Sequence, residues 1–170
     1  CPMLAETLDV AGVAMLSAPA GDYYELVLGQ AQYLYDHGEL DAAALALVAQ
    51  QAERLREGTG EGLPASELLG LPWAYWQRLF AYDAIETIQS LAPLPVLILA
   101  GGRDYQVPPA QFEAYRAALS GQDNVTFYFG ETLNHYLCSV PEPSTSAQYR
   151  QPLHVDEAAL DALAEFLLAH

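Results

Sequence analysis

Two side chains have the types and the placement to move a proton: Asp104 and His135. An aspartate that accepts a hydrogen bond from one imidazole nitrogen fixes the ring's tautomer. It also stabilises the imidazolium formed when the other nitrogen takes a proton. A histidine so held acts as general base toward a hydroxyl that is otherwise a weak nucleophile. Each residue also has a plainer reading, in which Asp104 caps a turn and His135 is a satisfied loop histidine. The choice turns on whether the chain sets the two side by side, and so on the elements that carry them.

Residues 10–17 form a continuous apolar run closed by Ala18, Pro19, Ala20 and Gly21, which predicts a strand buried on both faces, as parallel strands are. A second strand is predicted over 95–100, between Pro93 and the Gly101-Gly102 pair, and a third over 124–129, rich in β-branched and aromatic residues. Between the first two lie helical patterns. Tyr24, Val27, Leu28, Ala31, Leu34 and Tyr35 make one stripe, from Asp22 to a stop at His37-Gly38; Leu40, Ala44, Leu47, Val48 and Leu55 make another. A glycine-rich break over 57–64 precedes an aromatic cluster of Trp73, Tyr75, Trp76, Phe80 and Tyr82, which reads either as helix-pair core or as the lining of an apolar pocket. After the second strand, Pro108-Pro109 opens a helix with Phe112, Tyr115 and Leu119 on one side. A loop over 130–155 leads to a last helix from about Asp156, with Leu160, Leu163, Ala164 and Leu167 as the expected buried stripe.

This order of elements predicts an α/β fold with a parallel sheet and right-handed crossovers. In such sheets chemistry gathers in the loops that leave the carboxyl ends of the strands. Asp104 lies four residues past the predicted end of the second strand and His135 six past the third. Two adjacent parallel strands place these loops together.

The 170 residues carry 22 acidic and 6 basic side chains, all six of them arginine, for a net charge of −16. That balance disfavours nucleic acid and anionic membrane surfaces as partners. An apolar fraction of 52% argues against disorder, and no apolar run is long enough to span a bilayer. The two cysteines, Cys1 and Cys138, do not make a disulfide framework. The spacings His135 to Cys138 and His154 to Asp156 are weak as metal-ligand signals, so no metal or cofactor is expected.

The local sequences carry a resemblance. The stretch Leu97–Pro108, with its Gly-Gly-Arg-Asp-Tyr-Gln-Val-Pro, resembles the acid-bearing loop of α/β-hydrolases, and Asn134-His135-Tyr136 resembles their histidine loop. The likeness runs on through 143–156 and back over 82–86 and 71–76. It is closest to the serine-hydrolase branch that includes carboxylesterases and prolyl-oligopeptidase-like or serine-aminopeptidase-like enzymes. It implies an α/β-hydrolase fold, with residues 1–170 as the C-terminal portion of one domain and residues 22–81 as a helical cap inserted in it. It also implies a Ser-His-Asp triad with His135 and Asp104, and small acyl esters as substrates. Tyr23, Tyr24, Trp73, Trp76, Phe80 and Tyr105 become candidate substrate contacts.

The third member of that triad is missing. Ser17, Ser66, Ser90, Ser120, Ser139, Ser144 and Ser146 are the serines, and none sits in a Gly-x-Ser-x-Gly turn. Residues 1–8 resemble the helix that follows such a turn, which implies a nucleophile a few residues upstream of Cys1, together with one oxyanion-hole amide. Cys1 itself lacks the flanking pattern of a nucleophile. The first residue is not methionine, and the chain is expected to be part of a longer one whose N-terminal half is its partner. Residues 1–170 alone are then expected to be inactive and poorly soluble. The alternatives are an amide or peptide hydrolase of the same fold, and a hydrolase-like protein that uses its cleft for binding.

Overall fold

The computed structural model describes residues 2–21, 23–142 and 144–170. The chain divides into two compact units, Cys1–Gly21 with Asp83–His170, and Asp22–Tyr82.

The first unit is α/β. A short helix α1 (Pro2–Ala5) precedes strand β1 (Val13–Leu16). Helix α5 (Ala84–Ser90) starts at Asp83, whose carboxylate accepts from the Glu86 amide at 2.9 Å. Strand β2 (Val96–Gly101), helix α6 (Pro109–Leu119), strand β3 (Val125–Gly130) and helix α7 (Glu157–Ala169) follow. The strands form one parallel sheet in the order β1-β2-β3, with Val13 opposite Val96 and Val96 opposite Val125. With a neighbour on each side, β2 is buried along its whole length.

The expected stripe of α6 is the observed one, since Phe112, Tyr115 and Leu119 are all buried. Two other expectations are corrected. Only residues 13–16 of the apolar run 10–17 form a strand, and Leu16 is 42% exposed. Among the described residues the strand has β2 on one side alone, so its end is not enclosed as a central strand would be. On α7 the buried residues are Ala159 and Phe166, with Leu163 half-buried, while Leu160 and Leu167 are exposed. Ala159 joins a cluster with Leu99, Leu133 and Leu137, and this contact turns the helix one position away from the predicted stripe.

The second unit is helical: α2 (Tyr23–Asp36), α3 (Ala42–Arg56) and α4 (Trp73–Phe80), with a 3₁₀ turn over Ala65–Glu67. Asp41 caps α3 by accepting from the Ala44 amide at 2.8 Å. The core of this unit is Leu55, Leu68 and Trp76, with Tyr23, Leu63, Leu69, Trp73 and Leu79 packed on it. Tyr35 and Leu47, expected on the buried stripes, are exposed. The predicted start of α2 at Asp22 lies outside the described residues. Among the described residues no helix is long and apolar enough to cross a membrane.

Candidate active site

The β2 strand delivers the acid. Beyond Gly101 the chain turns, and one Asp104 carboxylate oxygen accepts from the backbone amides of Gln106 at 2.8 Å and Val107 at 2.9 Å. Asparagine and aspartate favour this turn because the side chain supplies the acceptor that the backbone would otherwise need. The Asp104 side chain is fully buried, and its second oxygen lies 2.8 Å from His135 Nδ1.

The loop after β3 delivers the histidine and is tightly built. Leu133 and Ser139 form an antiparallel bridge, and the Val140 amide donates to the Thr132 carbonyl at 2.9 Å. Inside this loop Asn134 is completely buried, and its side-chain oxygen accepts from the amides of Tyr136 at 3.0 Å and Cys138 at 3.1 Å. Leu137 adopts a left-handed backbone with φ of 61°, and the Asp156 amide donates to its carbonyl. His135 thus sits at the tip of a clamped turn, with 27% of its side chain exposed.

The two loops are fastened directly to each other. The Arg103 amide donates to Leu133 O and the Gly102 amide to Gly130 O, each at 2.9 Å. Glycine is required at this seam by space. A Cβ on Gly101 would lie 2.2 Å from Leu133 O and one on Gly102 2.5 Å from Glu131 O. The two loops therefore approach backbone to backbone, which brings Asp104 and His135 into hydrogen-bond range.

The chemistry follows from that bond. With a carboxylate oxygen facing Nδ1, the neutral ring carries its proton there and leaves the Nε2 lone pair for a proton from elsewhere. Burial of Asp104 and its two amide donors hold the carboxylate in one orientation, so the ring has one orientation too.

Ser17 approaches His135. It directly follows β1 with φ of 48°, is buried, and its hydroxyl donates to the His135 carbonyl oxygen at 3.3 Å. The bond goes to the backbone of His135 and not to its ring. Ser144 donates to the Arg103 carbonyl, and the Ser139 hydroxyl pairs with Thr132. Cys138 is a free, buried cysteine, and desolvation pushes its thiol pKa up. Cys1, for which the sequence disfavours both a bridge to Cys138 and a nucleophilic role, lies outside the described residues. Among the described residues no three His, Cys, Asp or Glu side chains cluster as a metal site would require.

Of the candidate substrate contacts, Tyr105 follows the acid directly and is half-buried. Tyr23, Tyr24, Trp73, Trp76 and Phe80 all belong to the helical unit. There Trp76 is 3% exposed, with its indole N–H donating to Leu68 O at 2.9 Å, and its ring stacks with Phe80 at 5.8 Å. Tyr24 meets Phe80 edge-on at 5.9 Å, while Phe80 keeps 37% of its surface exposed. Sequence reasoning did not single out Asn134 or the individual contacts of the glycines. Their available signals were the Gly-Gly pair before the acid and the asparagine before the histidine.

No family model matches the chain. Over 168 residues it is 30% identical to Esterase EstD of Thermotoga maritima, an alignment that covers 98% of this chain and 39% of that protein. The chain thus spans about two fifths of the length of the curated relative it matches. It is a relative, along nearly all its residues, of a protein named as an esterase.

Proposed function

We propose that residues 1–170 supply the acid and the base of a serine hydrolase acting on small acyl esters. Asp104 orients His135. His135 takes the proton of a serine hydroxyl as the serine attacks the ester carbonyl, then gives it to the departing alcohol. The serine belongs to a Gly-x-Ser-x-Gly turn outside residues 1–170, in the N-terminal half of the same α/β-hydrolase domain, and no cofactor takes part. One observation carries this reading: the 2.8 Å bond between His135 Nδ1 and a fully buried Asp104 carboxylate whose other oxygen is held by two amides, on loops leaving adjacent parallel strands. The likeness to Esterase EstD supports the choice of esters. The cap role of residues 22–81, and of Tyr23, Tyr24, Trp73, Trp76 and Phe80 as acyl contacts, rests on the sequence resemblance alone.

The test uses the protein expressed from its full reading frame, numbered as here. His135→Ala and Asp104→Asn should each lower kcat for a p-nitrophenyl ester by about 10³- to 10⁴-fold while leaving the unfolding midpoint nearly unchanged. Unchanged turnover in either variant removes that residue from the triad.

A further inference from the structure

Three tyrosines from separate segments line up beside the Asp104–His135 pair. Tyr105 follows the acid and Tyr136 follows the histidine, while Tyr149 lies in a 3₁₀ turn over Gln148–Arg150. The Tyr136 ring centre is 6.0 Å from the His135 imidazole and 4.5 Å from Tyr149, which is 6.2 Å from Tyr105. The row is anchored from below. Tyr149 donates its hydroxyl to Ser144 Oγ at 3.3 Å, and Ser144 donates to the carbonyl of Arg103, next to the acid. The Tyr136 amide is held by Asn134. Within residues 1–170 Tyr136 is 56% exposed, and its ring presents an aromatic face beside the His135 imidazole.

From this arrangement we infer that Tyr136 and Tyr149 form the platform for the leaving group and that this group is aromatic, making aryl esters the favoured substrates. The inference rests on the ester-hydrolase reading above. In that chemistry His135 hands its proton to the leaving oxygen, so the leaving group lies on the imidazole side of the ester. The Tyr136 ring borders that imidazole, with 6.0 Å between ring centres. A phenyl leaving group offset over Tyr136 and edged by Tyr149 gains ring-pair attraction that an alkyl group lacks. The excess of carboxylates along the chain favours a neutral aryl group over an anionic one.

The experiment compares phenyl acetate with hexafluoroisopropyl acetate, an alkyl ester whose alcohol has an acidity close to that of phenol, using the protein from its full reading frame. Tyr136→Ala should lower kcat/KM for phenyl acetate by about three- to tenfold, largely through KM, and change that for the alkyl ester less than about twofold. Tyr149→Ala should follow in the same direction, and Tyr136→Phe, which keeps the ring, should restore the phenyl ester rate. Equal losses on both esters, or no loss on either, overturn the platform while leaving the hydrolase reading standing. Failure of the unsubstituted protein to hydrolyse either ester overturns both.

Discussion

Replacing Gly101 with alanine tests the idea that the site exists because two loops touch backbone to backbone. Gly101 lies in β2, where an alanine backbone is tolerated, so the whole effect comes from space. The new Cβ would sit 2.2 Å from the Leu133 carbonyl oxygen and 2.7 Å from its carbonyl carbon. A relaxed carbon–oxygen contact is about 3.3 Å, so the histidine loop must retreat by about 1 Å. Leu133 lies in the turn that presents His135, and its carbonyl accepts the Arg103 amide next to the acid. A retreat of that size carries the 2.8 Å His135–Asp104 bond beyond hydrogen-bonding distance. Forcing a carbon into a packed seam costs about 1–3 kcal/mol of stability, and a displacement of this size lowers turnover by about 100-fold. Urea unfolding monitored by far-UV circular dichroism and steady-state kinetics on a p-nitrophenyl ester measure the two effects in the full-reading-frame protein. Gly121→Ala is the control, because a Cβ there meets nothing within 4 Å, and it should change stability by under about 0.5 kcal/mol. A Gly101→Ala protein with unaltered stability and turnover would mean that the loops do not depend on this close approach.

Asn134→Ala removes the acceptor of the buried Cys138 amide and of the partly buried Tyr136 amide. It should destabilise the protein by about 2–4 kcal/mol in urea titrations, and a loss under about 1 kcal/mol would show that the clamp is dispensable. Cys138 is buried and its thiol pKa is raised by desolvation, so the reactive thiolate is scarce at neutral pH. Iodoacetamide at pH 7.4 should label it slowly in the native protein and rapidly in urea; equal rates would contradict its burial. Residues 1–170 expressed alone should aggregate and show no ester hydrolysis, because Leu16, Leu160, Leu167 and Leu168 are exposed on the sheet unit. A stable, hydrolytic monomer of these residues would overturn that expectation.

The juxtaposition of Asp104 and His135 was legible because each follows an apolar strand run, and adjacent parallel strands leave their loops at one end of the sheet. The inner face of α6 was legible too, since Phe112, Tyr115 and Leu119 have no competing stripe. Helix α7 was not, because its sequence carries two overlapping apolar stripes and the cluster of Leu99, Leu133 and Leu137 selects the one through Ala159. Periodicity cannot choose between stripes offset by one residue; a tertiary contact does. In the same way the run at 10–17 shows apolar character without showing how many residues find a partner strand, and only four do. The roles of Asn134 and Gly101 depend on distances between loops far apart in sequence, which local patterns do not encode.

The proposed triad has His135 and Asp104 serving a serine outside residues 1–170. Labelling the full-reading-frame protein with a fluorophosphonate, followed by peptide mapping by mass spectrometry, measures this directly. The expected result is a single adduct on a glycine-flanked serine upstream of Cys1, strongly reduced in His135→Ala. An adduct on Ser17 or another serine of these 170 residues, or labelling indifferent to His135, would contradict the account.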